Sequence, residues 1–166
     1  YGGQTRDIAI HPTVTSTVYV AVGQSGLYRT IDGGNHWEQI LYSSAAPVGS
    51  VDVWPANPTV LFFGGEDGLY RSEQGGDAGS WSRVVFDGQA DGQPNALAIA
   101  PNDPYTMYCA IGNTLFYSAD GGWSWFERNA GLPGGPWHLA VSPDDAATVY
   151  ASFQDGTLYK TTDAGQ

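Results

Sequence analysis

The chain has 166 residues and a formal net charge of −11, from 6 basic and 17 acidic residues. A surface this acidic repels phosphate backbones and disfavours anionic membrane surfaces. We expect no nucleic-acid partner and no membrane insertion. Abundant glycine and proline, many aromatics and few charged residues predict an all-β chain of short strands and tight turns. No apolar run is long enough to span a bilayer. The single cysteine, Cys109, excludes an internal disulfide.

Four short alternating strands, each ending at a proline, mark four repeat units along the chain. The prolines are Pro12, Pro55, Pro101 and Pro143, about 42 to 46 residues apart. Seven residues after each proline comes a first aromatic, namely Tyr19, Phe62, Tyr108 and Tyr150. A second aromatic follows in the next strand, at Tyr28, Tyr70, Phe116 and Tyr159. Agreement in both spacing and residue type indicates a repeat architecture.

Each unit reads as four strands, and a four-stranded unit of this length is typical of a β-propeller blade. No segment has a sustained 3.6-residue apolar period, so almost no helix is expected. The blades are predicted at about residues 6–41, 49–86, 95–128 and 137–166, the last incomplete. The sequence therefore predicts a single partial propeller domain over residues 1–166, belonging to a larger propeller.

A turn motif follows the third strand of each unit. The first and third units fit Ser/Thr-x-Asp-x-Gly-x-x-Trp, with Thr30, Asp32, Gly34 and Trp37, and with Ser118, Asp120, Gly122 and Trp125. The fourth unit begins the motif with Thr161, Asp163 and Gly165. The second unit has Ser72, Gly76 and Trp81, but Gln74 replaces the aspartate and the tryptophan comes two residues late. The motif resembles the Asp-box, or BNR repeat, and the resemblance covers nearly the whole chain.

Turn chemistry accounts for the box residues. The aspartate is expected to accept main-chain N–H bonds inside its own turn. Glycine supplies a positive φ, and the tryptophan covers the turn. Asp32-Gly33-Gly34-Asn35 lacks the later ligands of a calcium loop. The three histidines show no metal-ligand spacing. We therefore expect a structural role for the boxes, with no metal and no cofactor.

The resemblance implies several possible activities, because sialidases, xyloglucanases, sortilin-like receptors and photosystem assembly factors share the repeat. A sialidase-like site needs an arginine cluster, but Arg29, Arg71 and Lys160 recur at one blade position, as structural residues do. A xyloglucanase-like site needs two opposed carboxylates. Asp52 stands where the other inner strands carry alanine, and we expect it to be a solvated channel-lining carboxylate.

The predicted function is non-catalytic binding or scaffolding outside the cytoplasm, in a secreted, periplasmic or cell-surface protein. The expected partner is a protein or an extracellular glycan. The loops on one propeller face supply the candidate binding residues, which are Gln24, Tyr42, Asp52, Glu66, Asp67, Trp137, His138 and Asp155. The alternative is a glycoside hydrolase of the xyloglucanase or sialidase-like type, with catalytic residues partly outside this chain.

The fourth unit ends before the tryptophan that opens its outer strand. One expectation is that further blades follow in the native polypeptide, since a bare strand edge invites association. The first and fourth blades would then each expose an apolar face, with side chains from the strands around Val18, Tyr19, Val149 and Tyr150. The other is that residues 1–5 supply the missing strand, although a short glycine-rich segment forms a poor strand.

Overall fold

The computed structural model describes residues 3–42, 49–87 and 92–166. Within these ranges every regular element is a β-strand, and no helix is long and apolar enough to cross a membrane. The strands form four antiparallel sheets, three of four strands and one of three. The predicted all-β class, built from blade-type sheets, is confirmed. The chain divides into two compact units, Tyr1–Arg83 and Val84–Gln166. Each of these compact units contains two of the four repeats, and from here on the first unit and the second unit mean the compact ones.

The first unit contains two sheets whose strands follow one another in chain order. The first sheet consists of β1 (Thr5–Ile10), β2 (Val18–Val22), β3 (Gly26–Thr30) and β4 (Glu38–Tyr42). The second consists of β5 (Val51–Val53), β6 (Leu61–Gly65), β7 (Gly68–Ser72) and β8 (Trp81–Arg83). Short connections suit antiparallel neighbours, so each unit of the repeat pairs with itself to form one sheet.

The core of the first unit lies between its two sheets. We call the sheet face that carries the first aromatic the front face, and the opposite one the back face. The front face of the first sheet, with Tyr19, Ala21 and Leu27, packs on the back face of the second. That back face is formed by four buried residues, Val51, Val53, Leu61 and Phe63. Alternation along β2 thus sends one set of side chains into the core and the other set away from it.

The second unit repeats this arrangement. The third sheet consists of β9 (Pro94–Ile99), β10 (Met107–Ile111), β11 (Thr114–Ser118) and β12 (Phe126–Glu127). The fourth consists of β13 (His138–Val141), β14 (Val149–Ser152) and β15 (Leu158–Thr161). Tyr108 and Leu115 on the front of the third sheet pack against Val149 on the back of the fourth. The Tyr108 hydroxyl donates to the Ala146 carbonyl at 2.8 Å.

The first and third box turns share one hydrogen-bond pattern. The Thr30 hydroxyl donates to Asp32 Oδ1 at 2.9 Å and accepts from the Gly34 N–H at 3.0 Å. Asp32 Oδ1 in turn accepts the His36 main-chain N–H at 2.9 Å. Ser118 and Asp120 make the equivalent bonds in the third box, with Asp120 accepting from the main chain of Trp123 and Ser124. The aspartate therefore closes the turn by binding the N–H groups that follow it.

The second box closes without an aspartate. The Ser72 hydroxyl still accepts from the main-chain N–H groups of Gln74 and Gly76. Its further partner is the Ser80 hydroxyl at 2.6 Å, which takes the place of the missing carboxylate. The Trp81 indole N–H donates to the Gly76 carbonyl at 3.2 Å, as Trp125 does to Gly122 in the third box at 3.0 Å. The two extra residues bring Ser80 into this turn.

The fourth box and its sheet differ from the others. Thr161 bonds to Asp163, and its hydroxyl accepts from the Gly165 N–H at 3.1 Å. Ala164 has a φ of 60°, where the other boxes carry glycine. Within the described part of the chain, β15 has no fourth strand beside it. Thr5, from the segment considered as its partner, pairs instead with Val22 in the first sheet.

The strands around Val18, Tyr19, Val149 and Tyr150 place alternate side chains on the two faces of their sheets. Tyr19 and Val149 are buried, because each points toward the neighbouring sheet of its own unit. Val18 lies on the opposite face from Tyr19 and is half-buried. Tyr150 is exposed, as expected.

Candidate functional site

A cleft of about 420 Å³ lies at one edge of the second unit. Three connections form it: the β10–β11 turn, the loop that precedes β13, and the β14–β15 turn. Its lining residues include Asn113, Trp137, Phe153, Gln154 and Asp155. Two of the predicted binding residues, Trp137 and Asp155, thus line one cavity.

Glycines let the loops that form the cleft approach each other closely. A Cβ added to Gly135 would come within 1.7 Å of the Gly112 carbonyl oxygen. The Gly112 carbonyl also accepts a hydrogen bond from the Asn95 amide at 3.1 Å. Only a residue without a side chain fits at position 135, so the cleft geometry depends on that glycine.

The apolar part of the cleft is aromatic. Trp137 is 48% exposed, and its main-chain N–H donates to the Ser152 carbonyl at 2.8 Å, which holds the residue beside β14. Phe153 is nearly buried and meets the edge of the Tyr159 ring at 5.3 Å between centroids. Packing therefore fixes Phe153 in place, while part of the tryptophan surface remains open to a ligand.

Asp155 supplies a negative charge at the cleft. Its Oδ1 accepts from the Thr157 hydroxyl at 2.6 Å and from the Thr157 main-chain N–H at 3.0 Å. These bonds, the hydroxyl first, lower the pKa of Asp155 because they favour the ionised form. The carboxylate is thus an acceptor at neutral pH, and it lies in a cleft that also contains the Asn113 amide.

The other predicted binding residues lie outside this cleft. His138 is exposed on β13, opposite Ser152, and does not line the cavity. Gln24, Tyr42, Glu66 and Asp67 are exposed residues of the first unit, whereas the cleft is built from second-unit residues alone. Asp67 is already engaged, because both its carboxylate oxygens accept from the Tyr70 hydroxyl at 2.9 Å.

Asp52 is accompanied by a second carboxylate. Asp7 follows a β-bulge in β1 and accepts from the main-chain N–H groups of Ile8 at 2.9 Å and Val51 at 3.0 Å. The bond to the Val51 N–H holds the Asp7 carboxylate next to the residue that precedes Asp52 on β5. Burial, and then the Asp7 charge, raise the pKa of Asp52 to about 7. Asp52 therefore titrates near neutrality, whereas a fully solvated carboxylate would not.

Sequence reasoning missed Asn113 and Asp7. Asn113 lies in the turn between the second and third strands of its repeat, and the equivalent turn of the second repeat carries the predicted residues Glu66 and Asp67. Its position in the repeat could therefore have indicated a binding role. Asp7 could not be predicted in this way, because the other three repeats have Ser50, Ala96 and His138 at its position and show no shared acid. In the described residues no group of three or more His, Cys, Asp or Glu side chains is placed to hold a metal.

No protein-family model and no curated protein matches the chain. Solved structures do. An ancestral GH74 enzyme matches with a TM-score of 0.81 and 24% identity, over 99% of this chain and 23% of that one. The GH74 xyloglucanase from Xanthomonas campestris matches with a TM-score of 0.52 and 15% identity, over 97% and 39% of the two chains.

The computationally designed Ika4 protein has a TM-score of 0.64 and 11% identity, over 96% of this chain and 91% of that one. The chain spans only 23% and 39% of the two GH74 proteins, and at these identities the likeness concerns the fold alone. The conclusion is that this chain has a propeller-type fold, which it shares with one part of each of these GH74 proteins.

Proposed function

We propose that this chain is a non-catalytic binding segment of a propeller and that its second-unit cleft binds a neutral glycan. The observation that carries the proposal is the partly open Trp137 surface beside Asp155 and Asn113. At about 420 Å³ the cleft falls within the ~300–1,000 Å³ range of small-molecule sites. We place the protein outside the cytoplasm, secreted, periplasmic or at the cell surface.

The chemistry of the cleft suits a sugar ring. A pyranose has a C–H face that packs on an aromatic surface and a rim of hydroxyls that both donate and accept. Trp137 offers the aromatic surface. Asp155 accepts from hydroxyls, and the Asn113 amide both donates and accepts. A charge-assisted bond to the carboxylate would be the strongest polar contact.

The charge of the chain favours a neutral ligand. With a net charge of −11 and a carboxylate in the cleft, an acidic sugar would be repelled. One of the similar structures is a GH74 xyloglucanase, whose name refers to xyloglucan. That likeness supports a glucan as the first ligand to test.

The direct test is calorimetric titration of the 166-residue chain with xyloglucan and cello-oligosaccharides. We expect binding, and at least tenfold weaker binding for Trp137→Ala. The matched control is Trp123→Ala, a 65% exposed tryptophan of the third box turn, whose loss should leave affinity unchanged. No binding by the wild-type chain, or equal losses in both variants, would contradict the proposal.

A second pair of variants tests the cleft geometry. Gly135→Ala must displace the Gly112 turn, so it should weaken binding. Gly134→Ala places its Cβ no nearer than 3.9 Å to Asn113 and should bind normally. If both variants bind equally well, the close approach of these loops has no part in recognition.

Hydrolysis is the second candidate function, and the Asp7–Asp52 pair is the observation that favours it. A carboxyl with a pKa near 7 beside one held by main-chain N–H groups is the arrangement expected of an acid and its partner. We nevertheless expect no release of reducing sugar from β-glucans or sialosides. Release that is abolished by Asp52→Ala, with oligosaccharide affinity retained, would replace the binding proposal by a hydrolase.

A further inference from the structure

Two exposed aromatic residues lie at the third box turn, away from the cleft. Tyr105, in the loop between β9 and β10, is 51% exposed, and Trp123, in the box turn itself, is 65% exposed. The Gly121 N–H donates to the Tyr105 carbonyl at 2.9 Å, so the loop and the turn lie side by side. The third repeat has a repeat before it and another after it in the chain. The exposure of the pair is therefore a property of this turn.

The other repeats build the same turn without aromatics. The main-chain bond recurs in each of them at 2.7–2.9 Å, with accepting carbonyls at Ser16, Thr59 and Ala147 and donors at Gly33, Gly75 and Ala164. At the two positions that hold Tyr105 and Trp123, the first repeat has Ser16 and Asn35, and the second has Thr59 and Asp77. The fold therefore does not require an aromatic residue at either position.

The polar groups of this region are engaged in holding the two aromatics in place. Asp120 Oδ1 accepts the main-chain N–H groups of Trp123 and Ser124, each at 2.9 Å. Asp103 accepts the Tyr105 N–H at 3.4 Å through Oδ1 and the Thr106 hydroxyl at 2.8 Å through Oδ2. The main chain beside each ring is thus fixed, and what the turn presents to solvent is mainly aromatic surface.

The size and charge of this surface select the kind of ligand. A stable protein interface takes about 800 Å² and 20–30 residues from each partner, far more than two side chains supply. The net charge of −11 disfavours an anionic ligand. A flat, uncharged face of C–H groups can stack on exposed tryptophan and tyrosine rings. In an insoluble β-glucan the sugar rings are already ordered, so binding them costs less entropy than binding a free oligosaccharide.

We infer that Tyr105 and Trp123 form a second binding site, an aromatic platform for the flat face of an insoluble, uncharged β-glucan. This site is separate from the second-unit cleft, which has an enclosed shape and polar groups suited to a soluble sugar. The platform lacks such a cleft and takes a ligand that is itself a surface. It extends the proposed glycan binding to the insoluble form of the polymer.

Adsorption isotherms of the 166-residue chain on microcrystalline cellulose test the platform. The wild-type chain should adsorb, and Trp123→Ala and Tyr105→Ala should each adsorb at least tenfold more weakly. The control is Trp37→Ala, which removes a 45% exposed tryptophan of the first box and should adsorb as the wild type does. Equal losses in Trp37→Ala and Trp123→Ala would overturn the inference. A wild-type chain that leaves cellulose unbound would also overturn it and would leave the two aromatics to a protein partner.

Conservative variants test whether the flat ring is what binds. Trp123→Phe should keep most of the adsorption, whereas Trp123→Leu, equally apolar but not flat, should lose it. Equal adsorption of these two variants would contradict an aromatic platform. Circular dichroism of every variant checks that the strands are intact.

Calorimetry with soluble cello-oligosaccharides separates the two sites. Trp137→Ala should lose oligosaccharide binding, and Trp123→Ala should lose adsorption to cellulose. A chain that binds oligosaccharides but does not adsorb would retain the cleft proposal and refute the platform. A chain that adsorbs through Trp123 without binding oligosaccharides would refute the cleft proposal and retain the platform.

Discussion

The first and second sheets of the first unit present the same apolar pattern on their back faces, and only the second of these faces is covered. Ile8 and Val18 on the first sheet correspond to Val51 and Leu61 on the second. Val51 and Leu61 are essentially inaccessible, whereas Ile8 is more than half exposed. Equal hydrophobicity thus contributes unequally to stability, because only area removed from water contributes. The difference teaches that an apolar pattern adds to stability only where a neighbouring sheet covers it.

The largest expected change in stability comes from a substitution in the covered face. Leu61→Ala removes a fully buried side chain from the core between the two sheets, so the free energy of unfolding should fall by about 2–5 kcal/mol. Val18→Ala at the corresponding position of the first sheet should cost less than about 1 kcal/mol. Urea titration of both variants in dilute protein measures the contrast. Equal losses would mean that the two faces are equally covered.

A second effect comes from the inner strands, where the first sheet has Ala9 and the second has Asp52. The pKa of Asp52 is raised to about 7, above the unfolded value of about 3.9. The folded state therefore binds more protons, and stability is lost as the pH rises from about 4 to about 7. Asp52→Asn should match the wild type near pH 4 and exceed it by about 1–3 kcal/mol at pH 8.

Thermal unfolding across that pH range measures the gain. Glu66→Gln, an exposed acid in the β6–β7 turn, is the control and should change stability little at either pH. If the stability of the wild-type chain relative to Asp52→Asn were the same at pH 4 and pH 8, folding would not raise the pKa of Asp52.

A smaller effect concerns the polar link between the two sheets. Arg29→Met keeps the apolar stem but removes the bonds to Gly75, Asp77 and Glu38. The free energy of unfolding should fall by about 1–2 kcal/mol. Lys160→Met, at the corresponding and exposed position of the fourth sheet, should change the free energy of unfolding very little. A comparable loss in both variants would argue against the Arg29 link.

The smallest expected effect is a pH-dependent contribution to stability from the first box, which has an aspartate that the second box lacks. Main-chain and side-chain bonds from His36, and then the Thr30 hydroxyl, hold the pKa of Asp32 well below its usual range. Its contribution to stability is present above about pH 4 and is lost as the pH falls toward the folded pKa. Asp32→Asn should therefore be less stable than the wild type at pH 7, and the gap should close in acid.

The second box offers the control for that experiment, since Gln74 stands in place of the aspartate. Gln74→Asn should show no gap that depends on pH. A gap of constant size between wild type and Asp32→Asn from pH 7 to pH 2 would mean that the carboxylate charge has no part in closing the turn.

The sequence by itself determined what depends on local pattern. Alternation and proline spacing predicted the strands and their grouping into sheets, because neighbouring strands of one unit are joined by short turns. The residues of the box turns fixed their hydrogen bonds, since Thr30, Asp32 and Gly34 lie within a few residues of each other. The sequence also showed that the second box departs from the motif, because Gln74 stands in place of its aspartate.

Only the tertiary structure decided which apolar face is covered and which polar residues meet. Tyr19 and Val18 are adjacent and both apolar, so alternation could not say which of them points to a neighbouring sheet. Asp7 and Asp52 are more than forty residues apart, and Asn113 and Trp137 more than twenty. Their encounters depend on how one sheet packs on the next and on a glycine at position 135 that lets two loops touch. Contacts of that range depend on the packing of whole sheets, which no local pattern encodes.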